Sequence, residues 1–115
     1  MKLLTETWES AASFFHQVAG LHDSTVEEIR VLPYVGRCIL VLHDVYRHTA
    51  EEGFVVEYQR LFIEMDEAKV SRMEKAIELL GFDIIDAKLF PDSLWISTSA
   101  GSLTFQFKGL RFLLP

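Results

Sequence analysis

The sequence predicts a single α+β domain: an antiparallel sheet of six to seven strands with two helices on one face, built from a helix-plus-three-strand unit used twice. Three observations predict it. Two stretches place apolar residues at steps of three and four, and each ends at a glycine. The stretches between and after them change to a period of two and are rich in β-branched and aromatic residues. The second half of the chain then repeats the first in order. With 115 residues, 50% apolar and 12% aromatic, the chain has material for one core and is too short for two independent domains.

The first helix is expected behind a cap at Thr5 or Thr7, because a hydroxyl there can accept an N–H that the helix leaves unpaired. Its apolar stripe is Trp8, Ala11, Ala12, Phe15, Val18 and Ala19, and Gly20 suits the left-handed position past its end. Residues 26–33 read as a strand, and Pro33-Tyr34-Val35-Gly36 as a turn into Cys38–Leu42. That return strand is apolar on both faces and therefore central. Residues 45–53 read as a solvated loop, after which Phe54, Val56 and Tyr58 open a third strand that runs to Ile63. A second helix is expected after Asp66, with Val70, Met73, Ile77 and Leu80 inward, Lys69, Arg72, Glu74, Lys75 and Glu78 outward, and Gly81 ending it.

Residues 84–91 match residues 26–33 in chemical type at six of eight positions, and each octet closes on a proline that opens a turn. Leu94-Trp95-Ile96 then returns the chain. Leu103, Phe105 and Phe107 point inward, leaving Ser102, Thr104, Gln106 and Lys108 as a polar sheet face. The two repeats span residues 5–63 and 66–113. Chance likeness between two α+β halves is the competing account.

The formal charge of −6 weighs against a nucleic-acid surface, which needs clustered Lys and Arg. Residues 1–57 hold nine acidic against four basic residues, and residues 58–115 eight against seven, so an electrostatic interface is expected in the first half. One cysteine, Cys38, cannot form an internal disulfide, and with no secretory or membrane-spanning stretch the expected compartment is the cytoplasm.

Chemistry-bearing residues cluster in two places. His43 and Asp44, with His48, Glu51 and Glu52, could supply imidazole and carboxylate ligands, but His-to-His steps of five fit no helical or zinc-finger spacing. A solvated acidic edge of Asp44, Glu51, Glu52 and Glu57, with His48 beside it, is the simpler reading, and no metal or other cofactor is expected. His22-Asp23-Ser24 holds the three residue types of a hydrolase triad, but adjacent side chains cannot line up as a relay and no oxyanion loop accompanies them. They read as a structural corner, with Asp23 and Ser24 as turn and cap groups and His22 bonded to backbone. No catalytic residues are assigned. Trp8 reads as core. Trp95 alternates with Ser97 and Ser99 and is a candidate exposed anchor for a partner.

The segment from Leu21 to Ile29, with its His-Asp-small element, resembles the segment that opens the first strand in small bacterial immunity proteins of polymorphic toxin systems. A weaker likeness extends over residues 40–44, 54–63 and 101–112. The resemblance implies a non-enzymatic role, in which the protein binds a toxin of the same cell and blocks it by occlusion. Two other readings stand beside it. A homodimer through the polar sheet face or an edge strand needs no outside ligand. A metal-dependent or hydrolytic enzyme would have to use His22, His43 and His48.

Overall fold

The computed structural model describes residues 1–70 and 73–115. Helix α1 (Trp8–Gln17) starts at Thr7, whose Oγ1 accepts the Ser10 N–H at 3.1 Å while the Ser10 hydroxyl accepts the Thr7 N–H at 3.0 Å. Thr5, the other candidate cap, is buried and accepts the Phe112 N–H instead. The inward stripe differs from the expected one. Ala11, Phe14 and Val18 are buried, Phe15 is partly covered, and Trp8 is 38% exposed rather than core. Phe14 takes the inward place because its ring packs at a tilt against Phe112 at 4.8 Å and Tyr58 at 5.9 Å.

Among the described residues nine strands form: β1 (Lys2–Leu3), β2 (Thr25–Leu32), β3 (Arg37–Thr49), β4 (Gly53–Asp66), β5 (Lys69–Val70), β6 (Ile84–Phe90), β7 (Ser93–Thr98), β8 (Gly101–Gln106) and β9 (Gly109–Leu114). They make not one sheet but two, ordered β1-β9-β4-β3-β2 and β5-β8-β7-β6, with antiparallel pairing throughout. Helix α2 (Met73–Glu78) is shorter than expected, since residues 69–70 are strand. Ala76 within it and Leu79 just past its end are buried, while Ile77 is 69% exposed. Arg72, and the side chains of Met73, Glu74 and Lys75, lie outside the described residues. The helices do not share a face of one sheet: α1 packs against β9 and α2 against β8. Both feed a common core with Leu40, Leu61, Ile63, Ile84, Phe105 and Phe112. None of the described helices is long and apolar enough to cross a membrane.

The sheets are joined at both ends. At one end a single ladder bends without losing register: Asp66 faces Gly109 in the first sheet and, three residues on, Lys69 faces Gln106 in the second. A Cβ on Gly109 would come within 3.3 Å of Asp66 Oδ2, so a larger residue would press on the carboxylate at the bend. At the other end the start of β2 crosses the start of β6. Val26 N–H donates to Phe82 O at 3.0 Å and Ile84 N–H to Ser24 O at 2.8 Å; Asp23 N–H donates to Ile84 O at 2.8 Å and Gly81 N–H to Val26 O at 2.7 Å. Thr25 faces Asp83 between them, its hydroxyl donating to the carboxylate at 2.6 Å.

The two halves also share their strand registers. Val26 faces Leu42 and Ile84 faces Thr98; Ile29 faces Leu40 and Ala87 faces Ile96; Leu40 faces Ile63 and Ile96 faces Leu103. A bulge follows both Val26 and Ile84. They part at the second hairpin, where β7–β8 turns at Thr98–Gly101 but β3–β4 runs on to Thr49–Gly53. Residues 45–49 are therefore strand rather than loop, and only the tip is a turn. The bulge between Val45 and Tyr46, with Asp44 left-handed at φ 56°, breaks the alternation that would have marked them.

On the outer face of the first sheet Arg111 lies against Glu64 at 2.6 Å and Asp66 at 2.7 Å, and Arg37 Nε reaches Asp66 at 3.2 Å. These bonds clamp the bend. The Arg111 guanidinium, seconded by Arg37, holds the Asp66 carboxyl below its ordinary range. Ionised Asp66 therefore stabilises the fold above the usual aspartate range, and that stabilisation is lost as pH falls through the lowered value. Replacing Arg111 with Met should cost about 1 kcal/mol at neutral pH, discounted for partial exposure. It should also move the acid-unfolding midpoint to higher pH, as followed by circular dichroism. An unchanged acid midpoint would show that the clamp is idle.

Candidate functional site

The hairpin extension, residues 43–60, is an arm about 20 Å long at the usual rise per strand residue. It carries most of the expected binding residues. Asp44 sits at its base, half-buried, with Oδ2 at 3.2 Å from His43 Nδ1. Glu51 and Glu52 are exposed at the tip, where the Glu52 N–H donates to Thr49 Oγ1. Glu57 is exposed on the returning strand, with Oε1 3.8 Å from Arg47 Nη1. His48 is exposed and meets the Phe54 ring edge-on at 5.0 Å. Phe54 and Val56 add exposed apolar surface to the same strand. Trp95 is not part of this group. It lies on β7 in the other sheet, half-buried, with the Lys88 ammonium 5.5 Å from its ring centre.

The corner residues are placed by the junction of the two sheets. His22 bonds to backbone through its own N–H, which donates to Ala19 O at 3.2 Å, while its side chain goes elsewhere: Nδ1 lies 3.2 Å from Asp23 Oδ2 and the ring stacks on Phe54 at 6.1 Å, tying the corner to the arm. Asp23 turns the chain with φ 65° and donates its N–H to Ile84 O. Ser24 is fully buried, and among the described residues its Oγ finds no hydrogen-bond partner, so it caps none of them through its side chain. Backbone alone holds it, through the Leu21 and Ile84 bonds.

A cleft of about 730 Å³ opens between the end of α1 and the arm, lined by His16, Ala19, Gly20, Arg47, His48 and Phe54. Its helix-side wall is a left-handed turn in which Ala19, Gly20 and Leu21 have φ of 55°, 60° and 65°. A left-handed residue with a Cβ costs roughly 1–2 kcal/mol, so this wall is strained at Ala19 and Leu21. On the arm's other side a second cleft of about 630 Å³ is bordered by His43, Tyr58, Arg60 and Leu114. Neither cleft was visible as a motif. His16 and Arg47 carried no spacing signal, and Phe54 read only as one step of a strand alternation.

Among the described residues no three His, Cys, Asp or Glu side chains are grouped to hold a metal ion. Cys38 is buried, and burial pushes its thiol up to about 11, so it is a packing residue rather than a nucleophile. Neither a family model, a curated protein nor a solved structure matches the chain.

The unsatisfied Ser24 hydroxyl gives a direct test of the corner. Removing a buried polar atom that has no partner relieves its desolvation cost. Ser24→Ala should therefore leave the thermal midpoint unchanged or raise it. A loss of more than about 1 kcal/mol in urea unfolding would show that the hydroxyl is bonded.

Proposed function

We propose that the chain is a small bacterial protein-binding domain, working in the cytoplasm by occlusion as immunity proteins of polymorphic toxin systems do, with the β3–β4 arm as its contacting element. One observation carries this reading. The two halves share registers and bulges, yet only the first extends its second hairpin into an arm, and that arm gathers Asp44, Glu51, Glu52 and Glu57 beside exposed Phe54 and Val56. The second half closes the same hairpin at residues 98–101 without an arm, and only the base of the arm, at Val45 and Tyr58, joins the core. An acidic projection with apolar side chains suits a basic partner, because opposite charge steers encounter and the apolar residues hold the complex.

The shared registers support a duplication. Exchanging Ser24 with Phe82 and Val26 with Ile84 turns each junction hydrogen bond into its counterpart, and Asp23 exchanges with Gly81, both left-handed. On this reading the second copy kept the compact hairpin, and the first acquired the arm and most of the negative charge.

A homodimer through β2 is the second reading. Residues 28–32 form a sheet edge flanked by exposed Val31, Leu32, Val35 and fully exposed Tyr34. Antiparallel pairing centred on Ile29 would set Glu28 opposite Arg30 of a second copy.

The occlusion reading is tested with the product of the neighbouring gene. If that product arrests growth, co-expression of the wild-type chain should restore growth, and Glu51→Lys with Glu52→Lys should abolish the protection while leaving the circular dichroism unchanged. A neighbour without toxicity, or undiminished protection by the doubly substituted arm, would refute it. Sedimentation at neutral pH separates the second reading: a dimer lost on Val31→Lys assigns the edge, and a monomer removes it.

A further inference from the structure

The cleft between α1 and the arm differs in charge from the rest of the molecule. Seventeen of the residues are acidic, yet among the described residues none lines this cleft, whereas Arg47 and the imidazoles of His16 and His48 all do; Glu51 and Glu52 border Arg47 and His48 only in the adjoining hollow at the arm tip. Neither His16 nor His48 enters an ion pair among the described residues, and the Arg47 contact to Glu57 is long at 3.8 Å, leaving most of the guanidinium donors uncommitted. Phe54 is 52% exposed at the cleft wall, its ring held between His48 edge-on and His22 stacked. Both walls are departures from the plan the two halves share. One is the arm, and the other is the left-handed turn at residues 19–21, whose counterparts at residues 77–79 are not left-handed. Strain and asymmetry thus meet at one concave surface, of a size that suits a small organic ligand.

We propose that this cleft binds a small organic anion, a phosphate or carboxylate carried on a flat body. Arg47 and His48 take the anionic group from the arm side, away from the C-terminal end of α1, whose dipole disfavours an anion. An imidazole donates an N–H whether or not it is charged, so His16 and His48 serve as donors in either state. Phe54 lies against the flat body. The site shares His48 and Phe54 with the arm, but it does not rest on the protein-partner reading, since the groups that would take the anion are not the arm's carboxylates.

The test uses phenyl phosphate, benzoate and inorganic phosphate as probes on the full chain, with binding read from amide chemical shifts. Phenyl phosphate or benzoate, whichever anion the site prefers, should saturate at millimolar concentration or below and move the amides of Ala19, Gly20, Arg47, His48 and Phe54. Arg47→Gln should weaken the preferred aryl anion about tenfold, the loss expected for one charge-assisted hydrogen bond. Phe54→Ala should weaken the aryl anion and leave inorganic phosphate unchanged. The same spectra show whether each variant is folded. No saturation by either aryl anion below about 20 mM, well beyond the millimolar affinity expected, would overturn the proposal. Equal binding by wild type and Arg47→Gln, or inorganic phosphate binding as tightly as phenyl phosphate, would overturn it too.

Discussion

Everything in this fold depends on two short stretches of backbone, residues 23–26 and 81–84, that hydrogen-bond reciprocally where β2 and β6 begin. Each half of the chain makes a three-stranded meander with one short helix, and neither has enough second-layer mass to cover its apolar sheet face. The crossing sets the two sheets against each other, so that Leu40 and Ile63 from one and Ile96 and Phe105 from the other share one buried cluster with residues of both helices. At the far end the bent ladder through Asp66 and Gly109 completes the enclosure, and Arg111 clamps it from outside. Water is excluded because the sheets are joined at both ends, not because either is large.

This arrangement frees part of the first half for another purpose. Once Leu42 faces Leu61 the shared hairpin is complete, and the chain beyond it adds no strand to the enclosure. The arm built there rests on α1 through Tyr58 and Phe14 and on the corner through Phe54 and His22. The strained turn at residues 19–21 lies directly beneath it. Left-handed backbone with Ala19 and Leu21 would be a liability in an ordinary connection, and here it shapes the wall of a cleft whose polar residues are all nitrogen-bearing.

Local pattern made much of this legible. The matching octets, their closing prolines and the alternation of Leu103, Phe105 and Phe107 located both meanders, and all three of those residues are buried as the alternation requires. Residue type marked Thr5 and Thr7 equally as the cap, and the structure takes Thr7 because Thr5 is committed to the Phe112 N–H. The helix stripes were harder, because in ten and six residues one apolar neighbour serves as well as another until tertiary contacts choose. Phe14 wins over Phe15 through the Phe112 and Tyr58 rings, and in the turn that ends α2 Leu79 is buried in the core while Leu80 stays exposed. Division into two sheets is a long-range outcome that no window contains. The arm was hidden by its own bulge, and the cleft was illegible because its walls, residues 16–20 and 47–54, meet only after folding.

The most direct test of the joined-halves account is native-state hydrogen exchange at the junction. The amides of Asp23, Val26, Gly81 and Ile84 should exchange only with global unfolding, matching the slowest amides of β3 and β4 near Leu40 and Ile63, while the arm tip opens locally and exchanges first. If the junction amides instead exchange well ahead of Leu40 and Ile63, the two sheets are stable separately and the crossing does not hold the fold together.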